Sequence, residues 1–125
     1  MIIKEFNNLQ EIEKYYVKEI NTYVFKEDDR YIDLVIFNFD LDVNSNIEAY
    51  DINANNIDVY DIKAGNINAL DVDSDNISAI NINANNISYY AVCFAYNNIK
   101  CKSIKGRRKN HKHFVLDGVL EVEDK

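Results

Sequence analysis

Residues 51 to 87 read DINANNIDVYDIKAGNINALDVDSDNISAININANNI, a stretch in which nearly the same five residues recur. Ile or Val returns at every fifth position from Ile47 to Ile87, and Asp or Asn directly precedes each one. On an α-helix a step of five residues rotates the side chain by ~140° net, so these residues would share no face. A coil of fixed length places them above one another instead, and such periodicity is typical of solenoids.

The inward side of the predicted coil follows from a second position in each repeat. Two residues after each Ile or Val stands a small residue, usually Ala, as in Ile52 followed by Ala54. Side chains two positions apart on a strand point to the same side. The Ile and Ala positions are therefore predicted to form the interior.

A slower, ten-residue rhythm lies on top of the five-residue one. The residue after the small position alternates between large residues and short or polar ones. In a coil of four repeats the large residues would stack along two edges, with Tyr50, Leu70 and Tyr90 on one and Tyr60 and Ile80 on the other. Two interpretations are open: the large side chains fill corners or lie under the N-terminal segment, or they form an outward apolar stripe that takes a partner.

The Asp/Asn–Ile pairs, such as Asp51-Ile52 and Asn56-Ile57, resemble the pentapeptide-repeat family over residues 44 to 90, extending toward 106. The resemblance implies a square right-handed β-helix with four pentads in each coil. The small residue stands two positions after the large one here, whereas the family has it two before. Keeping the family register would bury polar residues such as Asp75, at a cost of several kcal/mol each, so the Ile–Ala pair is predicted to face inward.

The whole chain is predicted to be one all-β solenoid with capping segments at both ends. Residues 1–43 are predicted to hold an amphipathic helix over about 8–20, capped by Asn7 or Asn8, followed by short strands. Residues 44–106 form the solenoid, and residues 107–125 form a basic loop and a C-terminal β-hairpin turning at Asp117-Gly118. Edges of a solenoid need such covers.

Charge is distributed in blocks along a chain with a formal net charge of -7. Residues 27–75 hold thirteen acids against two basic residues, residues 76–99 hold no charge, and seven basic residues follow before the next acid. Acids regularly spaced on a rigid rod are predicted to imitate nucleic-acid phosphates and to bind a nucleic-acid-handling protein. The predicted acidic face comprises Asp51, Asp58, Asp61, Asp71, Asp73 and Asp75.

The resemblance implies the same function, because some pentapeptide-repeat proteins inhibit or protect DNA gyrase by nucleic-acid mimicry. The sequence thus predicts a non-catalytic inhibitor of a topoisomerase- or nuclease-type enzyme, a function suited to a phage or mobile element. One alternative is a self-assembling scaffold. Another is direct nucleic-acid binding through the basic cluster, which comprises Lys105, Arg107, Arg108, Lys109 and Lys112.

A homodimer is predicted, because a single short solenoid covers only part of a DNA turn. The uncharged aromatic run 89–96 suits either a final coil or a subunit interface. The candidate interface comprises Tyr50, Tyr60, Tyr90, Phe94 and Tyr96.

No residues form a recognisable catalytic group, and no cofactor or metal is predicted. The run 71–76 resembles the start of a calcium loop, but the sixth position is Asn76 rather than Gly and the twelfth is Ile82 rather than Glu. His111 and His113 lack a third ligand nearby and are interpreted as part of a solvated basic loop.

The two cysteines, Cys93 and Cys101, are predicted to be reduced thiols in the core. The first residues lack the apolar run of a signal peptide, and no segment approaches the ~20 apolar residues of a membrane span. The sequence therefore predicts a cytoplasmic protein without membrane contact.

Overall fold

A computed structural model describes residues 1–123 as a β-solenoid of about five turns. Residues 124–125, the end of the predicted C-terminal segment, lie outside the described residues. The strands are β1 (Ile3–Phe6), β2 (Tyr16–Val17), β3 (Thr22–Val24), β4 (Lys26–Glu27), β5 (Arg30–Tyr31), β6 (Leu34–Phe37), β7 (Leu41–Asp42), β8 (Asn46–Glu48), β9 (Asp51–Ala54), β10 (Asn56–Asp58), β11 (Asp61–Lys63), β12 (Asn66–Asn68), β13 (Asp71–Asn83), β14 (Asn86–Cys101), β15 (Ser103–Gly106), β16 (Lys112–Val115) and β17 (Val119–Val122). Two 3₁₀ helices are η1 (Leu9–Tyr15) and η2 (Lys18–Ile20).

Each coil of the repeat has three sides, not the four that the family resemblance implied. Ile57 pairs in parallel with Val72, Ile62 with Ile77, and Ile67 with Ile82. Side chains bonded between neighbouring coils are likewise 15 residues apart. Three pentads therefore complete one turn.

The three sides have different outer surfaces, and each is named here by its strands. The acidic face consists of β7, β10, the starts of β13 and β14, and β15. The mixed face consists of β3, β8, β11, residues 76–79 and 92–95, and β16. The asparagine face consists of β1, β6, β9, β12, residues 81–83 and 98–101, and β17.

The interior confirms the predicted inward pair. Every Ile or Val of the five-residue series is at most 2 % exposed, and most of the small residues are buried with them. Ala64 is partly buried, and Ser74, which stands at an Ala position, donates its hydroxyl to the Tyr60 carbonyl oxygen at 2.6 Å. The buried polar group is thus bonded, as the low-dielectric interior requires.

Large side chains occupy the corners and point outward. Large and short residues alternate every five positions, and neighbours along a corner are 15 positions apart. A large residue therefore stacks against a short one rather than against another large one. The Gly65 backbone N–H donates to Tyr50 O, and Ile80 N–H donates to Gly65 O. A Cβ added at Gly65 would lie 2.9 Å from the Tyr50 ring, so the ring uses the space that glycine leaves.

The N-terminal end is covered by an aromatic cluster and a short helix. Asn8 caps η1 by accepting from the Glu11 backbone N–H, which confirms one of the two predicted caps. The predicted helix over 8–20 is shorter than expected, because Tyr16 and Val17 leave it to pair with β3. Phe6, Tyr15 and Phe25 pack with ring centroids 5.1–5.9 Å apart over the first coil.

The C-terminal segment differs from the predicted hairpin. β16 and β17 each pair in parallel with β14 and not with one another. Asp117-Gly118 therefore forms a corner of one more coil. Parallel pairing of this kind runs from Ile3 to Val122.

Candidate acidic binding face

Three aspartates in successive coils form a column on the acidic face. Asp58 is the direct cross-strand neighbour of Asp42 on one side and of Asp73 on the other. Strands in a sheet lie ~4.8 Å apart, so the three carboxylates span about 10 Å along the solenoid axis. Since each follows an inward Leu, Ile or Val, alternation points all three to the outside.

The column is electrostatically unfavourable by itself. Burial raises the pKa of Asp58, and the neighbouring Asp73 and Asp42 carboxylates raise it further, while Arg107 opposes them. Like charges directly opposite one another destabilise a sheet. This face therefore holds an excess of negative charge at neutral pH.

Further acids flank the column. Asp40 accepts a hydrogen bond from Asn56 Nδ2 at 2.9 Å, and Asp71 accepts one from Asn86 Nδ2 at 2.8 Å. Asp75 lies at the adjoining corner, where its backbone N–H donates to Tyr60 O. A shallow groove of about 380 Å³ between Asp71, Asp73 and Lys105 lies on this face.

One member of the basic cluster binds the acidic face within the same chain. Arg107 Nη1 lies 2.7 Å from Asp73 Oδ1 and 2.6 Å from Ser88 Oγ, and Nη2 lies 3.7 Å from Asp75 Oδ1. Arg108 lies over the Tyr90 ring, 6.0 Å from its centroid. The guanidinium of Arg107 thus shows how a cation sits on this surface.

The predicted acidic site is divided between faces. The structure brings Asp58, Asp71, Asp73 and Asp75 together, but Asp51 lies on the asparagine face and Asp61 on the mixed face. Both accept from asparagine amides of the next coil, Asp51 from Asn66 Nδ2 at 2.9 Å and Asp61 from Asn76 Nδ2 at 3.1 Å. Each therefore belongs to a ladder of side-chain hydrogen bonds that joins successive coils.

Sequence reasoning missed Asp42, because it precedes the strict repeat. The 15-residue spacing of the repeat would not have identified it either, because Asp42 stands 16 residues before its neighbour Asp58. The coil length does explain the order of the other acids. On a 20-residue coil Asp51 would stack on Asp71, whereas on a 15-residue coil each Asp before an Ile meets an Asn. The alternation of Asp and Asn in this position is thus a sign of three-sided coils, because it separates like charges.

The predicted interface residues lie on the mixed face and at the two corners that border it. Tyr50, Tyr60, Tyr90 and Tyr96 are 43–48 % exposed at corners and point outward, as one of the two interpretations predicted. They do not stack in the predicted order, because Tyr50 shares its corner with Gly65 and Ile80. Phe94 is partly buried on the mixed face, its ring 4.9 Å from that of Phe114. The run 89–96 lies inside β14, with Tyr89, Cys93 and Ala95 fully buried.

The histidines and cysteines have structural environments. Tyr89 Oη lies 2.6 Å from His113 Nδ1, so His113 is held against the core rather than in a solvated loop. Burial lowers the pKa of His113, and the neighbouring His111 lowers it further. Cys93 and Cys101 are buried free thiols, as predicted, and burial raises the pKa of Cys93 to about 12.

Within residues 1–123, no three His, Cys, Asp or Glu side chains converge in a way that would hold a metal ion. Among the same residues, no helix has the length and apolar character needed to cross a membrane. No family model, curated protein or solved structure matches the chain. The structure itself shows the repeat as a β-solenoid of parallel stacked coils.

Proposed function

We propose that the protein is a non-catalytic binding protein whose acidic face docks into the basic groove of a nucleic-acid-handling enzyme, of topoisomerase or nuclease type, and inhibits it. The supporting observation is the column of Asp42, Asp58 and Asp73. Other columns in the repeat avoid like-charge stacking by alternating Asp with Asn or Glu with Lys. A column that keeps three carboxylates despite their repulsion favours a role in binding over a role in stability.

The acidic face also has the rigidity that a mimic of a charged polymer needs. Asp58 and Asp73 stand on backbone that is paired on both sides, and Asp42 stands on a strand that is paired on one side. Two of the flanking acids, Asp40 and Asp71, are fixed by amide hydrogen bonds. A fixed array loses little conformational entropy on binding. Membership of the pentapeptide-repeat family, which would make gyrase the first target to examine, and a phage or cytoplasmic setting remain parts of this proposal.

Direct nucleic-acid binding by the basic cluster is the weaker candidate. Arg107 is engaged by Asp73 and Asp75, and carboxylates beside it repel phosphates. The proposal therefore expects no binding of labelled duplex DNA at physiological salt. Fluorescence anisotropy of such a duplex measures this directly.

The proposed function is tested by affinity capture from nuclease-treated bacterial lysate with immobilised full-length protein. Duplex DNA is added as a competitor in a parallel sample. We expect enrichment of DNA- or RNA-processing enzymes, and their release by the duplex, because both ligands occupy one basic groove. Enrichment that the duplex leaves unchanged would contradict mimicry.

A further inference from the structure

The two ends of the solenoid are finished differently. At the N-terminal end, Ile12 and Tyr15 of η1 pack on the first coil and are themselves buried. At the C-terminal end, β15, β16 and β17 pair on one side with β14, and no strand among residues 1–123 pairs with their other side. Such an edge is a template for another strand.

The inward side chains of this last coil are uncovered as well. Leu120 is 37 % exposed and Val122 is 44 % exposed, whereas their partners one coil below, Ile99 and Cys101, are at most 2 % exposed. The stack of inward side chains behind the asparagine face therefore ends in two apolar side chains that contact solvent. Three open edges surround this apolar patch as the sides of a triangle.

We propose that this end, comprising β15, β16 and β17, docks against the same end of a second copy of the chain. A second copy presents three edges in the same triangular arrangement, which a single strand or helix from another protein does not. A twofold axis perpendicular to the solenoid axis makes the facing strands antiparallel, so backbone groups on all three edges meet partners. Such a contact is self-complementary and closed.

Charge selects between the three possible twofold arrangements. A twofold axis lets one strand face itself and exchanges the other two. If β17 faced itself, Glu121 would meet its own copy, and the basic strands containing Lys105 and Lys112 would face each other. In both other arrangements β17 faces a basic strand at two places, and one basic strand faces itself, β16 if β17 faces β15 and β15 if β17 faces β16. These arrangements are favoured because each gains two contacts between opposite charges, whereas the first has none.

This inference does not rest on the function of the acidic face. It replaces the interface predicted around Tyr90, Phe94 and Tyr96 with the last coil. It also favours a pair over a filament. At the N-terminal end β1 and β7 are also paired on one side only among the described residues, but Ile12 and Tyr15 cover the interior there, whereas the interior of the last coil is exposed.

The test is sedimentation equilibrium of the full-length protein over a wide concentration range. The expected mass is that of two chains, and Glu121→Lys is expected to weaken the pair at least about tenfold, or about 1.4 kcal/mol. The matched control is Glu5→Lys, because Glu5 stands on the same asparagine face at the opposite, covered end. That control is expected to leave the dissociation constant unchanged.

Charge swaps then identify the facing strand. Glu121→Lys combined with Lys105→Glu restores the pair if β17 faces β15, and combined with Lys112→Glu it restores the pair if β17 faces β16. Because Glu121 neighbours Lys100 in the sheet, thermal melts check each variant, and Glu121→Gln serves if Glu121→Lys fails to fold. A monomer at every concentration, equal effects of the Glu121 and Glu5 variants, or failure of both swaps would overturn the proposal.

Discussion

The corner glycine shows how a single residue adapts to the coil length. Gly65 has no side chain, and the Tyr50 ring takes that space with its carbons within 3.0 Å of where a Cβ would lie. A larger residue there must displace an aromatic side chain that covers the corner. This need follows from the three-sided coil, because only then do residues 50, 65 and 80 share one corner.

Replacing Gly65 with Leu is expected to lower the free energy of unfolding by about 1–2 kcal/mol, because the Tyr50 ring must leave its position. The matched control is Asn55→Leu, at a corner where an exposed residue is replaced. The control is expected to change the free energy of unfolding by less than about 0.5 kcal/mol. Urea denaturation measures both, and equal effects would contradict three-sided stacking at this corner.

Removing the central charge of the acidic column should stabilise the protein. Asp58 is mostly exposed and its pKa is raised, so its ionised form lowers stability above the folded-state pKa, and protonation relieves the cost as the pH falls. Asp58→Asn is expected to raise the free energy of unfolding at pH 7 by roughly 0.2–1 kcal/mol. The gain should shrink as the pH is lowered through the range in which Asp58 is protonated.

The control for this change is Asp61→Asn on the mixed face, which removes an equal charge and keeps the oxygen that accepts from Asn76. Urea denaturation of both variants at pH 7 and at acidic pH compares them. A gain for Asp61→Asn as large as that for Asp58→Asn would show that net charge, rather than the column, sets the effect.

At the scale of the strand, amide ladders tie the coils together. Asn66 donates to Asp51 Oδ1 at 2.9 Å and accepts from Asn81 Nδ2 at 2.8 Å, so one side chain joins three coils. Asn68, two residues along β12, is exposed to solvent. The five-residue pattern predicts strands here. It does not predict the hydrogen bonds between outward amides, because these depend on which residues of successive coils lie side by side.

Asn66→Ala is expected to cost about 1–3 kcal/mol, since it breaks two hydrogen bonds and leaves partners unpaired. Asn68→Ala on the same strand changes an exposed amide and is expected to cost less than about 0.5 kcal/mol. Thermal unfolding followed by circular dichroism compares the two. A larger loss for Asn68→Ala would refute the ladder as a stabilising element.

The strand β16 should make stability depend on pH through His113. With its pKa lowered in the folded state, His113 remains neutral there while the unfolded chain takes up a proton below pH ~6.5. Stability is therefore expected to fall as the pH drops from about 6.5 through the folded-state pKa, and to depend no further on His113 below it. His113→Gln should remove this slope, and His111→Gln should keep most of it.

Hydrogen exchange of residues 112–115 between pH 7 and pH 5, corrected for the intrinsic rate, locates the effect in the last coil. Unchanged protection of these amides, or the same pH slope in His113→Gln as in the wild-type protein, would contradict the role of His113.

At the scale of the whole molecule, the sequence predicted the solenoid and its inward residues but not its cross-section. A five-residue repeat fits any whole number of pentads, so Ile52 and Ala54 face inward whether a coil has three sides or four. The number of sides decides which acids share a face. For that reason the sequence alone predicts Asp51 and Asp61 on one face with Asp58, although they lie on other faces. The prediction of a C-terminal hairpin at Asp117-Gly118 was wrong for a similar reason, because solenoid corners and hairpins use the same turn residues.

The length of the solenoid sets what the acidic face can cover. About five turns at ~4.8 Å each give roughly 24 Å, less than the ~34 Å of one DNA turn. One copy therefore presents a patch. If β15 faces itself in the pair, so that β17 faces β16, the two acidic faces align and present a surface longer than one turn. Under the proposed function, weakening the pair should also weaken the inhibition of a target that contacts more than one turn.

The most direct test of the acidic face is the dissociation constant of the captured enzyme for three forms of the protein. One is the wild-type chain, one carries Asp42→Asn, Asp58→Asn and Asp73→Asn, and the control carries Glu48→Gln, Asp51→Asn and Asp61→Asn, which remove the same charge from the other faces. The account predicts at least about a 100-fold loss of affinity for the column variant and less than about threefold for the control. Equal losses in the two variants would show that net charge alone is recognised and would contradict the acidic face as the binding site.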